Sequence, residues 1–209
     1  MQRKFFGTFR PSVLMTLGVL WSVGVGIGLY ILLDYEMTPG PGGEAPEVWP
    51  AQSRIPHHPV VPTLVMLMHP RCTCSHASLQ ELSRLLTQVQ EQVSAVILFY
   101  SPDSVEHNWE KTDLGSTATS LPGVRVLRDS NGAEATLFRA YTSGYTVLYD
   151  AAGHRLFHGG ITPSRGHSGA NAGSQAIAAL LTHHRAAHQR TPVFGCDVFE
   201  ATEQYRDLL

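Results

Sequence analysis

The sequence predicts an α/β domain, a central mixed sheet flanked by helices, standing behind one N-terminal transmembrane helix. Three observations predict it. Val13 to Leu33 runs twenty-one residues without a charge, the length that crosses a hydrocarbon core of about 30 Å. Two continuous apolar runs, Thr63 to Met68 and Ala95 to Tyr100, bracket a segment whose Leu79, Leu82, Leu85 and Leu86 share one helical face. That pattern is a strand, a helix and a second strand buried on both faces. Finally, Tyr145 to Asp150 and His154 to His158 flank Ala151-Ala152-Gly153, a hairpin turn with a glycine to supply positive φ.

Arg3, Lys4 and Arg10 precede the apolar span, and Asp34 and Glu36 follow it. The positive-inside bias therefore puts the N-terminus in the cytoplasm and the rest in the periplasm or an equivalent extracytoplasmic space. Leu33-Asp34-Tyr35-Glu36-Met37 offers no small-residue cleavage site, so the span reads as an uncleaved signal anchor in the inner (cytoplasmic) membrane. Gly24 and Gly28 form a GxxxG pair, a spacing that lets two helices approach as a homodimer and is also ordinary membrane-helix filler.

From Met37 to Pro62 come seven prolines and little apolar periodicity, the composition of an extended linker. His57-His58 is read as part of that linker. The expected organisation is a cytoplasmic N-terminus (1–12), a transmembrane helix (13–33), a Pro/Gly-rich linker (34–62), the folded domain (63–188) and a C-terminal tail (189–209) holding Cys196.

Within the domain, the first helix is expected from about Ser75 to Leu86. Ser78 and Glu81 have capping-box spacing but lie inside it. Residues 101–120 read as an irregular polar insertion with a helical turn around His107 to Glu110. Val124 to Leu127 is a short strand, Gly132 to Ala140 a helix, and Ser174 to about Ala187 a last helix with Ile177, Leu180 and Leu181 on one face. Strand, helix, strand, helix, hairpin, helix is thioredoxin-like order.

A net charge of −2, with basic residues scattered beyond position 10, gives no footprint for nucleic acid. The chemistry-bearing feature is Cys72-Thr73-Cys74, where the first strand hands over to its helix. Unsatisfied N–H groups and the helix dipole there lower a thiol's pKa and make it a nucleophile. Outside the cytoplasm such cysteines meet an oxidising compartment.

The C-x-C at this junction, the hairpin Gly144 to Gly153 and the glycine-rich stretch Gly159-Gly160-Ile161-Thr162-Pro163-Ser164-Arg165-Gly166-His167 resemble the membrane-anchored thioredoxin-like RedB proteins of bacteria. The resemblance runs from about Val61 to Cys196. It implies a thioredoxin fold and thiol redox activity on protein thiols or disulfides of the cell envelope, and it implies no defined substrate. Two departures from ordinary thioredoxins stand out. Cys74 follows Cys72 by two positions rather than three, so a disulfide between them would close a small strained ring, easily reduced. Where thioredoxins place a cis-proline at the start of the hairpin, this chain has Tyr145 after Thr142-Ser143-Gly144. That absence favours a metal-binding reading.

In a thioredoxin-like sheet the hairpin's second strand ends beside the cysteines, which makes Arg165 and His167 site candidates. A guanidinium would lower the pKa of Cys72, and His167 could relay a proton. The alternative is a solvated glycine loop before a helix capped by Asn171 or Ser174. The loop lacks the Gly-Lys-Ser/Thr ending of a P-loop. His69 could support the thiolate, or be an ordinary neutral histidine. Cys196 could resolve Cys72, pair with another chain or pack as a small hydrophobe.

The expected function is thus a thiol-disulfide oxidoreductase needing no cofactor. Its first alternative is Cu(I) binding or delivery by Cys72, Cys74 and His76, since thiolates with imidazoles suit a soft ion. Met66 and Met68 read as core, and His183, His184 and His188 as surface. The third reading is a non-catalytic envelope interaction module.

Overall fold

The computed structural model describes residues 10–102 and 112–199, Gln90 by its backbone only; the turn expected at 107–110 lies outside the described residues. The chain divides after Met37 into two units. The first holds α1 (Pro11–Met37), 27 residues with no buried side chain, about 40 Å long at 1.5 Å per residue. It is long and apolar enough to cross a membrane. Pro11 opens it, where a missing N–H costs nothing. Thr16 and Ser22 donate their hydroxyls to the carbonyls of Ser12 and Gly18, so neither is left unpaired on an apolar helix.

The second unit is a five-stranded mixed sheet with helices on both faces, the thioredoxin-like fold expected. Its elements are β1 (Thr63–Met68), α2 (Ser75–Val89), β2 (Ser94–Ser101), α3 (Asp113–Thr119), β3 (Val124–Ser130), α4 (Ala133–Leu137), β4 (Tyr145–Tyr149), β5 (Arg155–Gly159) and α5 (Ala172–His183). The strand order is β3-β2-β1-β4-β5. β1, β2 and β3 run parallel, and β4 and β5 complete the sheet antiparallel.

All six residues of β1 are buried. Leu64, Met66 and Met68 pack beneath α2 and α5, while Val65 and Leu67 face α4. A central strand covered on both sides must be apolar throughout, which is why its sequence does not alternate.

Several expected boundaries shift. The polar insertion contains α3, capped by Thr112, whose hydroxyl accepts the Gly115 N–H. α4 is five residues long, its first turn held by the Asp129 carboxylate, which accepts the Glu134 and Ala135 N–H groups at 2.8 and 2.9 Å. α5 starts earlier and stops at His184, which takes the left-handed conformation. Asn171 is its N-cap, accepting the Ser174 N–H at 2.7 Å. Ser78 and Glu81 form no capping box. Buried Glu81 instead pairs with Arg84 and accepts the Gly169 N–H at 2.9 Å and the Asn171 amide at 3.2 Å, bracing the glycine-rich stretch against α2.

The largest departure is the expected linker. Residues 38–62 belong to the second unit and lie as a strap along the α4 side of the sheet. Five residues of α4 are too few to cover that apolar face, and buried Ala45 and Ile55, with Trp49, complete it. Its seven prolines lack N–H groups, but the strap still offers its carbonyls, and the domain grips several of them. Thr142 donates to Pro41, Tyr145 to Gly43, Tyr149 to Pro46, and the Arg155 guanidinium to Ala45. At Gly43 a Cβ would come within 1.6 Å of the Arg139 carbonyl oxygen, so only glycine passes. His57 Nε2 lies 2.8 Å from the Asp150 carbonyl, and His58 Nδ1 accepts the Val60 and Val61 N–H groups.

A three-cysteine candidate site

β1 ends at Met68, and the chain turns through His69-Pro70-Arg71 into Cys72. The Cys72 N–H donates to the His69 carbonyl at 3.1 Å, and the Cys72 carbonyl accepts the Ser75 N–H at 3.1 Å. These tight turns seat Cys72 just ahead of α2, with Cys74 at its threshold.

The third thiol arrives from the far end of the sequence. After α5 the tail runs beside β5, where His158 N–H donates to Gln189 and Gly160 N–H to Pro192. It then crosses to lie antiparallel to Tyr141-Thr142-Ser143. The Ser143 N–H donates to the Cys196 carbonyl at 2.8 Å, and the Val198 N–H to the Tyr141 carbonyl at 2.8 Å. Val193, Phe194 and Val198 are buried, anchoring the segment on either side of Cys196. Gly195 is obligatory, because a Cβ there would meet the Ser143 carbonyl oxygen at 2.0 Å.

The result brings Cys72 Sγ to 2.9 Å from Cys196 Sγ, with the sulfurs of Cys72, Cys74 and Cys196 all within 4.8 Å of one another. Cys72 is 4% exposed and Cys196 is half-buried. The Cys72 pKa falls from 9.0 to about 4, chiefly because the Cys196 thiol donates to the thiolate. The Cys196 and Cys74 backbone N–H groups and the Ser75 hydroxyl add to this, and burial opposes it. The same hydrogen bond holds the proton on Cys196, raising its pKa, and burial raises that of Cys74. The low pKa is thus owed first to a neighbouring thiol rather than to the helix terminus alone.

A buried hydroxyl chain supports the thiolate. Ser75 Oγ lies 2.6 Å from Ser143 Oγ, which accepts the His69 N–H at 2.8 Å. Neither serine was marked by the sequence. Thr142-Ser143-Gly144 drew notice only for what precedes Tyr145, and it is the corner that holds both the tail and the cysteine turn.

The other candidates divide. His69 is buried beside Cys72; its own pKa is lowered by burial, against a raising effect from Cys72, so it stands neutral. Arg165 reaches the cluster, where its charge lowers the pKa values of Cys74 and Cys196. It also donates to the carbonyls of Thr38 and Gly195. His167 is exposed, its Nδ1 2.8 Å from the Arg165 carbonyl, and His76 is exposed and outside the thiol cluster. His183, His184 and His188 are exposed, and Met66 and Met68 are core.

Fold and site together define a thioredoxin-like domain carrying three clustered thiols. No protein-family model matches the chain, and no curated protein matches it. Among solved structures, an uncharacterized conserved protein from Geobacillus kaustophilus superposes with a TM-score of 0.56 at 17% identity, covering 78% of this chain and 92% of that one. A hypothetical protein from Sinorhizobium meliloti 1021 gives 0.55 at 17% identity, covering 77% and 93%. An exposed lipoprotein thioredoxin from Streptococcus pneumoniae gives 0.42 at 13% identity, covering 67% and 99%. At these identities the likeness is one of fold.

Proposed function

We propose that this chain is a membrane-anchored thiol-disulfide oxidoreductase, working outside the cytoplasm through Cys72 and Cys196 with Cys74 as a third thiol. The observation that carries the reading is the 2.9 Å approach of Cys72 Sγ to Cys196 Sγ. A disulfide needs about 2.05 Å, so a small side-chain rotation closes the bond. It would span 124 positions and avoids the strained ring of a Cys72–Cys74 bond. α1 serves as the anchor, its N-terminus cytoplasmic by the charge bias. Membership in the RedB-like group rests on the motifs quoted above. The substrates are protein thiols or disulfides of the envelope, and Gly24 with Gly28 offers a dimer face in the membrane.

The exchange follows from the geometry. In the reduced site the Cys72 thiolate and the Cys196 thiol share one proton. Transfer of two electrons and that proton to a partner disulfide, with a second proton from solvent, leaves Cys72 and Cys196 joined and the partner as two thiols; the reverse reaction oxidises a partner dithiol.

A second reading has its own observation, the three sulfurs within 4.8 Å. Three thiolates suit Cu(I), with Cys196 taking the place expected for His76. Metal–sulfur bonds of about 2.3 Å, however, put ligand sulfurs roughly 3.8 Å apart, so Cys72 and Cys196 would have to part by about 1 Å. The dithiol reading needs less movement.

The test is to hold the full chain in detergent micelles across a series of glutathione redox buffers, with and without Cu(I), and count thiols by alkylation and mass spectrometry. Loss of two thiols at one midpoint, with a peptide joining Cys72 to Cys196, supports the exchange reading. Thiols that stay reduced throughout but are protected by one equivalent of Cu(I) would replace it with metal binding.

A further inference from the structure

In ordinary exchange sites the first cysteine of the motif is the outward one, and the partner's sulfur bonds there. Here the exposures are reversed. Cys72 is 4% exposed and enclosed by the Ser75 hydroxyl and the amides of Cys74 and Cys196, whereas Cys196 is only half-buried. We infer that the partner's sulfur is bonded at Cys196, while Cys72 acts from behind it as the buried thiolate that opens and closes that bond.

This inference rests on the exchange reading above and assigns its roles. Thiol exchange depends on which sulfur can be reached and on how well the other sulfur leaves. Half-buried Cys196 is the more open of the two to an incoming thiolate, and Cys72 departs as a thiolate already solvated by its hydrogen bonds. Cys72, 4% exposed, is the less reachable of the two. Arg165, whose charge acts on Cys196 and Cys74, adds a cation there that favours an approaching thiolate.

Nor is Cys196 on an arm that swings aside to uncover Cys72. Its carbonyl holds the Ser143 N–H, Gly195 fits only against the Ser143 carbonyl, and Val193 and Val198 are buried on either side. The outer sulfur is built into the corner that precedes β4.

The bookkeeping closes in both directions. In oxidation of a partner, the partner thiolate bonds to Cys196 Sγ as the Cys72–Cys196 bond breaks. A second partner thiolate then attacks the partner's own sulfur, releasing Cys196, which takes a proton. The partner has become a disulfide and the site a thiolate and a thiol. In reduction, Cys196 attacks the partner disulfide, and its proton passes to the partner sulfur that leaves, while Cys72 stays a thiolate. The Cys72 thiolate then attacks Cys196 Sγ, forming Cys72–Cys196 and releasing the second partner sulfur, which takes a proton from solvent.

The experiment uses the oxidised full chain in detergent micelles, with reduced glutathione as the attacking thiol and iodoacetamide present to cap whichever cysteine is released. Peptide mass spectrometry then locates both labels, in the native chain and in Cys74→Ser. The expected product carries glutathione on Cys196 and the alkyl group on Cys72, at least tenfold over the reverse pattern, in both chains. Glutathione on Cys72 or Cys74 overturns the assignment, as does an adduct on Cys196 that vanishes in Cys74→Ser. If oxidation never joins Cys72 to Cys196, the exchange reading itself fails, which is a different result from a misplaced adduct.

Discussion

Two segments of this chain read as accessories in the sequence, the proline-rich stretch 38–62 and the tail from 189, and both are built into the domain. They differ in what their attachment fixes. The strap is held by both kinds of bond: side chains take the Pro41, Gly43 and Pro46 carbonyls, and its backbone pairs at Gly40 with Val193 of the tail, at Trp49 with Gly153 and at Glu47 with Arg155. The tail pairs backbone to backbone, at Pro192 with Gly160 and at Cys196 with Ser143. The strap covers an apolar face, and small errors in its position cost only stability. Backbone pairing fixes Cys196 to within a bond's reach of Cys72, and there position is chemistry.

The sharpest way to break the comparison is at the tail's own sulfur. Cys196→Ala removes the main donor to the Cys72 thiolate, so the Cys72 pKa should rise well above about 4. In the native reduced chain, alkylation of Cys72 by iodoacetamide should stay flat from pH 8 to pH 5 and fall only as pH nears about 4. In Cys196→Ala it should already lose about tenfold per pH unit near neutrality.

A paired substitution separates the two attachments. Gly195→Ala forces a Cβ onto the Ser143 carbonyl at 2.0 Å, and it should slow Cys72 alkylation at pH 5 by about tenfold and disperse the disulfide midpoint. Gly43→Ala forces one onto the Arg139 carbonyl at 1.6 Å, and it should cost about 2 kcal/mol or more in urea melts while leaving the alkylation profile unchanged. Loss of the flat profile in Gly43→Ala would show that strap and tail are not independent.

Tyr145→Phe tests the strap's grip more gently. Its hydroxyl meets the Gly43 carbonyl, the Ala45 N–H and His158 Nδ1, and leaving these buried groups short of a partner should cost about 1–3 kcal/mol. Tyr149→Phe breaks one bond, to Pro46, and should cost about 1 kcal/mol.

The smallest effect sharpens the tail's side. From about pH 4 to about 9, Cys72 is ionised and Cys196 protonated in the reduced site, so reduction takes two electrons and one proton. The midpoint potential should fall by about 30 mV per pH unit, half the slope of an ordinary dithiol. The sign follows from the depressed pKa. Relative to an ordinary thiol, the reduced form gains the full advantage of ionised Cys72 above pH 9.0 and loses it as pH falls towards about 4.

Much of this was legible in order along the chain. The continuous apolar run of β1 announced burial on both faces, the leucines of α2 gave its inward stripe, and Gly153 marked the hairpin turn. α4 was overestimated because its helical pattern runs past Leu137, where Phe138 closes the turn. The strap was missed because proline-rich composition reports how a segment holds itself, whereas its place was set by an apolar sheet face that a five-residue helix cannot cover.

By itself the sequence determined the apolar first helix, the order of strands and helices, and a cysteine at the mouth of α2, since each depends on residues within a few positions of one another. Only the tertiary structure decided which thiol faces Cys72. That pairing joins positions 124 apart through the bonds of Ser143 and the fit of Gly195, contacts between segments that share no local pattern. Local periodicity carries information about which face of an element is buried, and none about which distant residue is brought against it.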